Sequence, residues 1–152
     1  MAIFRFSMEN ILNMKEKLEE QAKHEYAREN ARLLREQEIL EALIQRRQQA
    51  EHELRMVLQE VLSVTEIRKK ENAVEVIKSY VQQQRLVVKR QEKIVEVARE
   101  ALTEAMKERK IYEKLKEKAF EEFIREEGRK EQKEVDERMS YQYGTKKEMQ
   151  NN

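Results

Sequence analysis

The side chains best suited to chemistry are two histidines, His24 and His52, set among a large number of carboxylates. Imidazoles can ligate a metal or pass a proton, and paired carboxylates can divide general acid and base roles. Both tasks need groups that converge. His24 and His52 stand far apart on one predicted helix, without metal-ligand partners at the right spacing. Cys is absent, which removes thiol nucleophiles, disulfides and Cys-type zinc sites. Acidic pairs recur throughout, but a two-helix rod has no pocket to shift their pKa or exclude water. No Gly-rich phosphate loop is present. The basic clusters "RKK" at 68–70 and "KK" at 146–147 are interrupted by acids and read as solvated surface. The expectation is a protein that is not an enzyme and has no catalytic residues, metal or other cofactor.

The elements that would position any site come next. Charged residues make up 41% of the chain and aromatics 6%, with no Pro and two Gly. That balance belongs to long helices and coiled coils, in which burial is confined to a narrow seam. The net charge is +1 with both signs interspersed, so bulk electrostatics favour neither nucleic acid nor a membrane surface. No apolar run is long enough to span a bilayer, and "MAIFRFSMEN" lacks the apolar segment of a signal peptide. The chain reads as intracellular and soluble.

Two helix starts are legible. In "FRFSMENI", Ser7 suits an N-cap, with Phe6 and Ile11 at the spacing of a hydrophobic staple. Apolar residues then recur about every seven positions: Ile11 and Leu18, then Tyr26, Leu33, Leu40, Leu54 and Val61, with Arg47 on the same seam. Leu43, Ala50 and Val57 fill the companion row, and a one-position drift separates Leu18 from Tyr26. In "LSVTEI", Ser63 and Glu66 have capping-box spacing, and Leu62 and Ile67 form a second staple. Ile67, Val74, Val81, Val88, Val95 and Leu102 follow at seven-residue intervals. Ile77, Ala98, Ala105, Tyr112 and Ala119 share the companion row, which Gln84 and Gln91 interrupt. A third row, Tyr80, Val87, Ile94 and Ala101, fits either a further partner or a broad coiled-coil face.

The predicted fold is all-α: a long antiparallel two-helix coiled coil, an α-helical hairpin with an overhanging C-terminal helix. Residues 1–138 form a single domain, with helix one at about 8–60, helix two at about 64–138 and a flexible tail at 139–152. One continuous helix that dimerises in parallel is the alternative, because "LQEVLS" contains no Gly or Pro. A turn near residue 62 places Leu40 near Arg85, Tyr26 near Arg99 and Phe4 near Glu121. Residues beyond about 122 would then overhang the N-terminus. Pairs such as Glu121 with Arg125 support helix there, while Gly128 works against it.

Three stretches, "FRFSMENILNMKEKLEEQAK", "LSVTEIRK" and "ERKIYEKLKEKAFEEFIREEGRKEQKEVDE", together resemble the bacterial flagellar FliJ family over about residues 3–138. Val61 departs from the pattern, since relatives often carry Gly there. The resemblance implies a component of the flagellar type III export apparatus. Such a component is an antiparallel two-helix coiled coil acting as central stalk of the hexameric flagellar export ATPase. It also implies partners in the cytoplasmic domain of the export gate and in export chaperones. Membrane contact would be indirect, through the apparatus at the flagellar base, peripheral to the inner membrane. Matching family motifs assigns Phe4, Phe6, Ile11, Arg109, Lys110, Lys116, Arg125, Arg129, Lys130, Gln132 and Asp136 to the ATPase end. Ile77, Tyr80 and Gln84 fall in the segment that contacts the gate or chaperones. The rival from another class is a scaffolding coiled coil that self-associates. A nucleic-acid-binding coiled coil is disfavoured by the charge balance.

Overall fold

The computed structural model describes residues 2–60 and 63–150. Two helices, α1 (Glu9–Gln59) and α2 (Val64–Gln150), pack against each other as an antiparallel hairpin, with no strand among the described residues. Val61 and Leu62, expected on the seam and in the second staple, lie outside the described residues. Contacts group the chain into two compact units, Met1–Leu18 with Met106–Asn152 and Glu19–Ala105. Each contains a stretch of both helices.

In the unit built on Glu19–Ala105, α2 starts as its cap predicts. The Glu66 N–H lies 3.4 Å from Ser63 Oγ and 3.1 Å from the Ser63 carbonyl, and the Ile67 N–H donates to the same carbonyl. Ser63 thereby satisfies donors that the first turn would leave open. The seam row of α2 is the predicted one: Val74, Val81 and Val88 are buried, with Ile67, Val95 and Leu102 half-buried at its ends. Ala98 and Gln91 are buried on the companion row. Both glutamines that interrupt that row are used. Gln84 Nε2 donates to the Glu36 carbonyl at 2.9 Å and to its carboxylate at 2.6 Å. Gln91 does the same to Glu29, at 2.9 and 2.7 Å.

The expected register holds at the ion pairs that cross the hairpin, Lys70 with Glu53 in this unit and Lys15 with Glu108 and Lys116 with Glu9 in the other, and the glutamines reach beyond it. A facing of Leu40 with Arg85 would bring Gln84 to Glu41, whereas Gln84 bonds Glu36, about one helical turn away. The two glutamine amides must find acceptors when they leave water, and Glu29 and Glu36 supply them at matching seven-residue spacing.

The α1 seam is also corrected. Leu18 is 43% exposed, while Glu19 beside it is 5% exposed and Leu12 3%. The true row therefore starts at Leu12 and Glu19 and continues without drift through the half-buried Tyr26, Leu33, Leu40, Arg47 and Leu54. A pattern reading passes over Glu19 because it is charged. Its stem is buried while its carboxylate is 3.6 Å from Lys23, so the charge keeps a partner.

In the unit built on the two chain ends, α1 starts after a turn in which the Glu9 N–H donates to the Phe6 carbonyl. The first intrahelical bond runs from Leu12 N–H to the Met8 carbonyl, one residue beyond the cap expected at Ser7. Phe6 is buried and Ile11 half-buried. Residues 2–6 are not helical, and this changes where the overhang begins. A non-helical chain advances up to about 3.3 Å per residue against 1.5 Å in a helix. The short N-terminal segment therefore reaches further along α2 than helical pairing would allow, lining a groove that ends at Lys130. Phe123 is half-buried as a result, and full exposure begins at Gly128.

Helix α2 does not stop at Arg138. It continues through Gln150, including the segment read as a tail. No Pro interrupts it, and Thr145 Oγ1 donates back to the Tyr141 carbonyl at 2.9 Å.

Candidate partner-binding surfaces

All the residues assigned to an ATPase end fall in the unit that joins the chain ends. The N-terminal segment is fastened there by rings. Phe4 meets Phe120 edge-on, centroids 5.2 Å apart at 74°, and Phe123 at 5.5 Å and 50°. Neither of these phenylalanines of α2 was singled out from the sequence. The signal was the pair of aromatics in "AFEEF", three positions apart on one helix face.

Ion pairs join α1 to α2 in this unit. Lys15 Nζ donates to Glu108 at 2.7 Å, and Lys116 Nζ contacts Glu9 at 3.0 Å. The hydrogen bond to Glu108 raises the Lys15 pKa above the usual lysine value, with the Glu108 charge acting in the same direction. Arg109 is half-buried and pairs with Glu113 at 2.7 Å.

Further along α2 the assigned side chains pair within the helix. Arg125 lies 3.8 Å from Glu121, Arg129 3.7 Å from Glu126 and Lys130 3.9 Å from Glu127. Gln132 Nε2 donates to Asp136 at 3.1 Å. Lys110 is exposed. Exposed pairs of this kind contribute about 0.2–1 kcal/mol each, so a partner's carboxylates can replace them at little cost. The stretch presents a surface of exchangeable charge. From Gly128 to Gln150 every residue is exposed.

Ile77, Tyr80 and Gln84 lie in the other unit and are not equivalent. Ile77 is half-buried and Tyr80 is 53% exposed. Both line an open groove of about 360 Å³ with Leu43, Ala73 and Val76, edged by Arg46, Lys69 and Asn72. Gln84 instead turns into the seam, where Glu36 takes both of its amide bonds. The groove joins the third apolar row, of which Tyr80, Ile94 and Ala101 are exposed.

Among the described residues, no group of three or more His, Cys, Asp or Glu is arranged to hold a metal. No described helix is long and apolar enough to cross a membrane. The described residues thus offer two distinct surfaces, one of exposed charge on a helix and one an open apolar groove.

The solved structure of a chain assigned as a YscO homolog from Chlamydia trachomatis is similar in fold. Its TM-score is 0.62 at 23% identity, covering 96% of this chain and 99% of that one. Among curated proteins, none matches the sequence. The profile of the family described as Flagellar FliJ protein matches residues 4–148. That match runs through both helices and includes the N-terminal segment fastened by Phe4, so the chain belongs to the flagellar FliJ protein family and is a protein associated with type III export.

Proposed function

We propose that this protein is the central stalk of the flagellar export ATPase ring and links it to the export gate and export chaperones. The observation that carries this reading is the helix from Gly128 to Gln150. It is continuous with the body of α2, exposed on every side, and its start and the turns before it carry weak, exchangeable ion pairs. A stalk that sits in a ring of repeated sites needs those properties. It must be stiff enough to enter and polar enough to remain hydrated, and it must not bind any one site irreversibly. Acidic loops lining the ring would take over Arg125, Arg129 and Lys130 from their present carboxylates.

The chain acts by binding and not by catalysis. The gate or a chaperone occupies the Ile77–Tyr80 groove, which leaves the charged helix free for the ATPase. The protein works in the cytoplasm, held to the inner membrane at the flagellar base only through its partners.

Co-purification with the export ATPase tests the reading. The full chain should co-elute with the ATPase and raise its ATP hydrolysis. A chain ending at Glu131 should keep its helical fold and lose most of the stimulation. Full stimulation by the shortened chain would overturn the stalk assignment.

A further inference from the structure

Acidic residues number 31 of the 152, yet none occurs from Val76 to Gln91. In a chain so rich in Glu, that gap marks one stretch of α2 where negative charge is left out. The same stretch carries the row that the two-helix seam does not use. Tyr80 is 53% exposed and Ile94 46%, with the half-buried Val87 between them at seven-residue spacing. The adjoining row, also seven apart, is Lys69, Val76, Gln83, Arg90 and Val97, with Val76 50% and Val97 65% exposed. With Val76 and Val97 beside it, the Tyr80 row makes a stripe wide enough for another helix, since helices meet along such rows.

The cations beside this stripe are available. Neighbouring Arg47 and Lys70 are held by Glu51 and Glu53. Arg46 and Lys69, which edge the groove, and Arg90 further along have no ion pair among the described residues. A bare basic partner would be repelled here, and a wholly apolar one would leave these charges without a counterpart.

We infer that this face of the Glu19–Ala105 unit docks a third helix, an amphipathic segment of a partner with apolar residues at heptad spacing and carboxylates flanking them. The inference rests on the reading of the Ile77–Tyr80 groove as a partner surface. It extends that surface along α2 to Ile94 and names the chemistry of what binds there. The apolar stripe supplies contact area, and Arg46, Lys69 and Arg90 select for acidic flanks.

The test uses the full chain and two designed helical peptides of about 28 residues, four heptads each. Both carry the same apolar stripe, one flanked by Glu and the other by Lys. Titration calorimetry should find the Glu peptide binding at least about tenfold more tightly at low salt, with the gap narrowing as salt rises. The double variant Tyr80→Ala with Ile94→Ala should weaken the Glu peptide about tenfold while helicity and melting stay close to the parent. The pair Lys69→Glu with Arg90→Glu should abolish or reverse the preference. Equal affinity for the two peptides, or Glu-peptide binding indifferent to these substitutions, would overturn the inference.

The gate's cytoplasmic domain is titrated in parallel. If it depends on Tyr80 but ignores the charge reversals, the groove remains a partner surface and the acidic-helix assignment fails. If the Glu peptide binds this face and the gate domain does not, the acidic-helix assignment stands and the gate reading fails.

Discussion

Gln91 donates both hydrogens of its side-chain amide to one residue of the facing helix, the carbonyl and the carboxylate of Glu29. Gln84 and Glu36 repeat the arrangement seven residues away on each helix. A polar pair inside an apolar seam chooses among registers, because any other alignment strands an amide in a site that excludes water. Gln91 is 3% exposed, so water cannot make up the loss.

Gln91→Ala should therefore destabilise the hairpin by about 1–3 kcal/mol, as measured by urea unfolding. Gln84→Leu with Gln91→Leu should cost less stability, since Leu packs well in a heptad seam, but should loosen alignment. A short bifunctional crosslinker between cysteines at Leu33 and Val88 would report it. One dominant intrachain product is expected in the parent background and a spread of neighbouring products in the double Leu variant. An unchanged pattern would show that apolar packing alone sets the register.

The N-terminal segment is held to α2 chiefly by Phe4 against Phe120 and Phe123. An aromatic pair contributes about 0.5–1.5 kcal/mol beyond the area it buries. Phe4→Ala should leave helix content unchanged and accelerate hydrogen exchange at residues 2–6 and around Phe123. Protection that survives the substitution would assign the fastening to Phe6 instead.

Shortening the chain at Glu131 separates stability from partner action. The removed segment is exposed throughout, so the melting temperature should fall by no more than a few degrees. Charge reversal at Arg129 and Lys130 should weaken ATPase binding more than neutral replacement, and more so at low salt. A collapse of melting on truncation would make the last part of α2 a structural brace.

A small acid sensitivity is expected from the pair that joins the helices near the turn. The hydrogen bond from Lys70 to Glu53 holds the Glu53 pKa below its usual value, with Gln49 adding to the effect. A carboxylate lowered in the folded state stabilises it above the unfolded pKa. That contribution is lost as pH falls through the lower folded value. Glu53→Gln should thus melt slightly below the parent at neutral pH, and the two should converge in acid. Because both partners are well exposed, the difference should be small and should shrink with salt. A gap that persists in acid would trace to packing and not to charge.

Much of this protein is written in its periodicity. The absence of Pro, the start at Ser63 and the seven-residue recurrence of Val74, Val81 and Val88 are local properties. They determine two helices and the face that α2 buries, because a helix carries its own geometry wherever it packs. The third row at Tyr80 and Ile94 was legible for the same reason, and so was the charge-rich end of α2. Three features were decided only when the helices met. Glu19 and not Leu18 entered the seam, because burial of a charged side chain depends on whether its head group finds a partner nearby. Gln84 and Gln91 found Glu36 and Glu29 and not the residues that the register alone would set opposite them, because those amides are satisfied by particular residues across the interface and not by a pattern along one chain. The N-terminal segment lines a groove that includes Lys130 because it left the helix, and non-helical backbone can cover up to about twice the distance per residue. Periodicity fixes which face of each helix is buried, and contacts between the helices fix which residues of those faces meet.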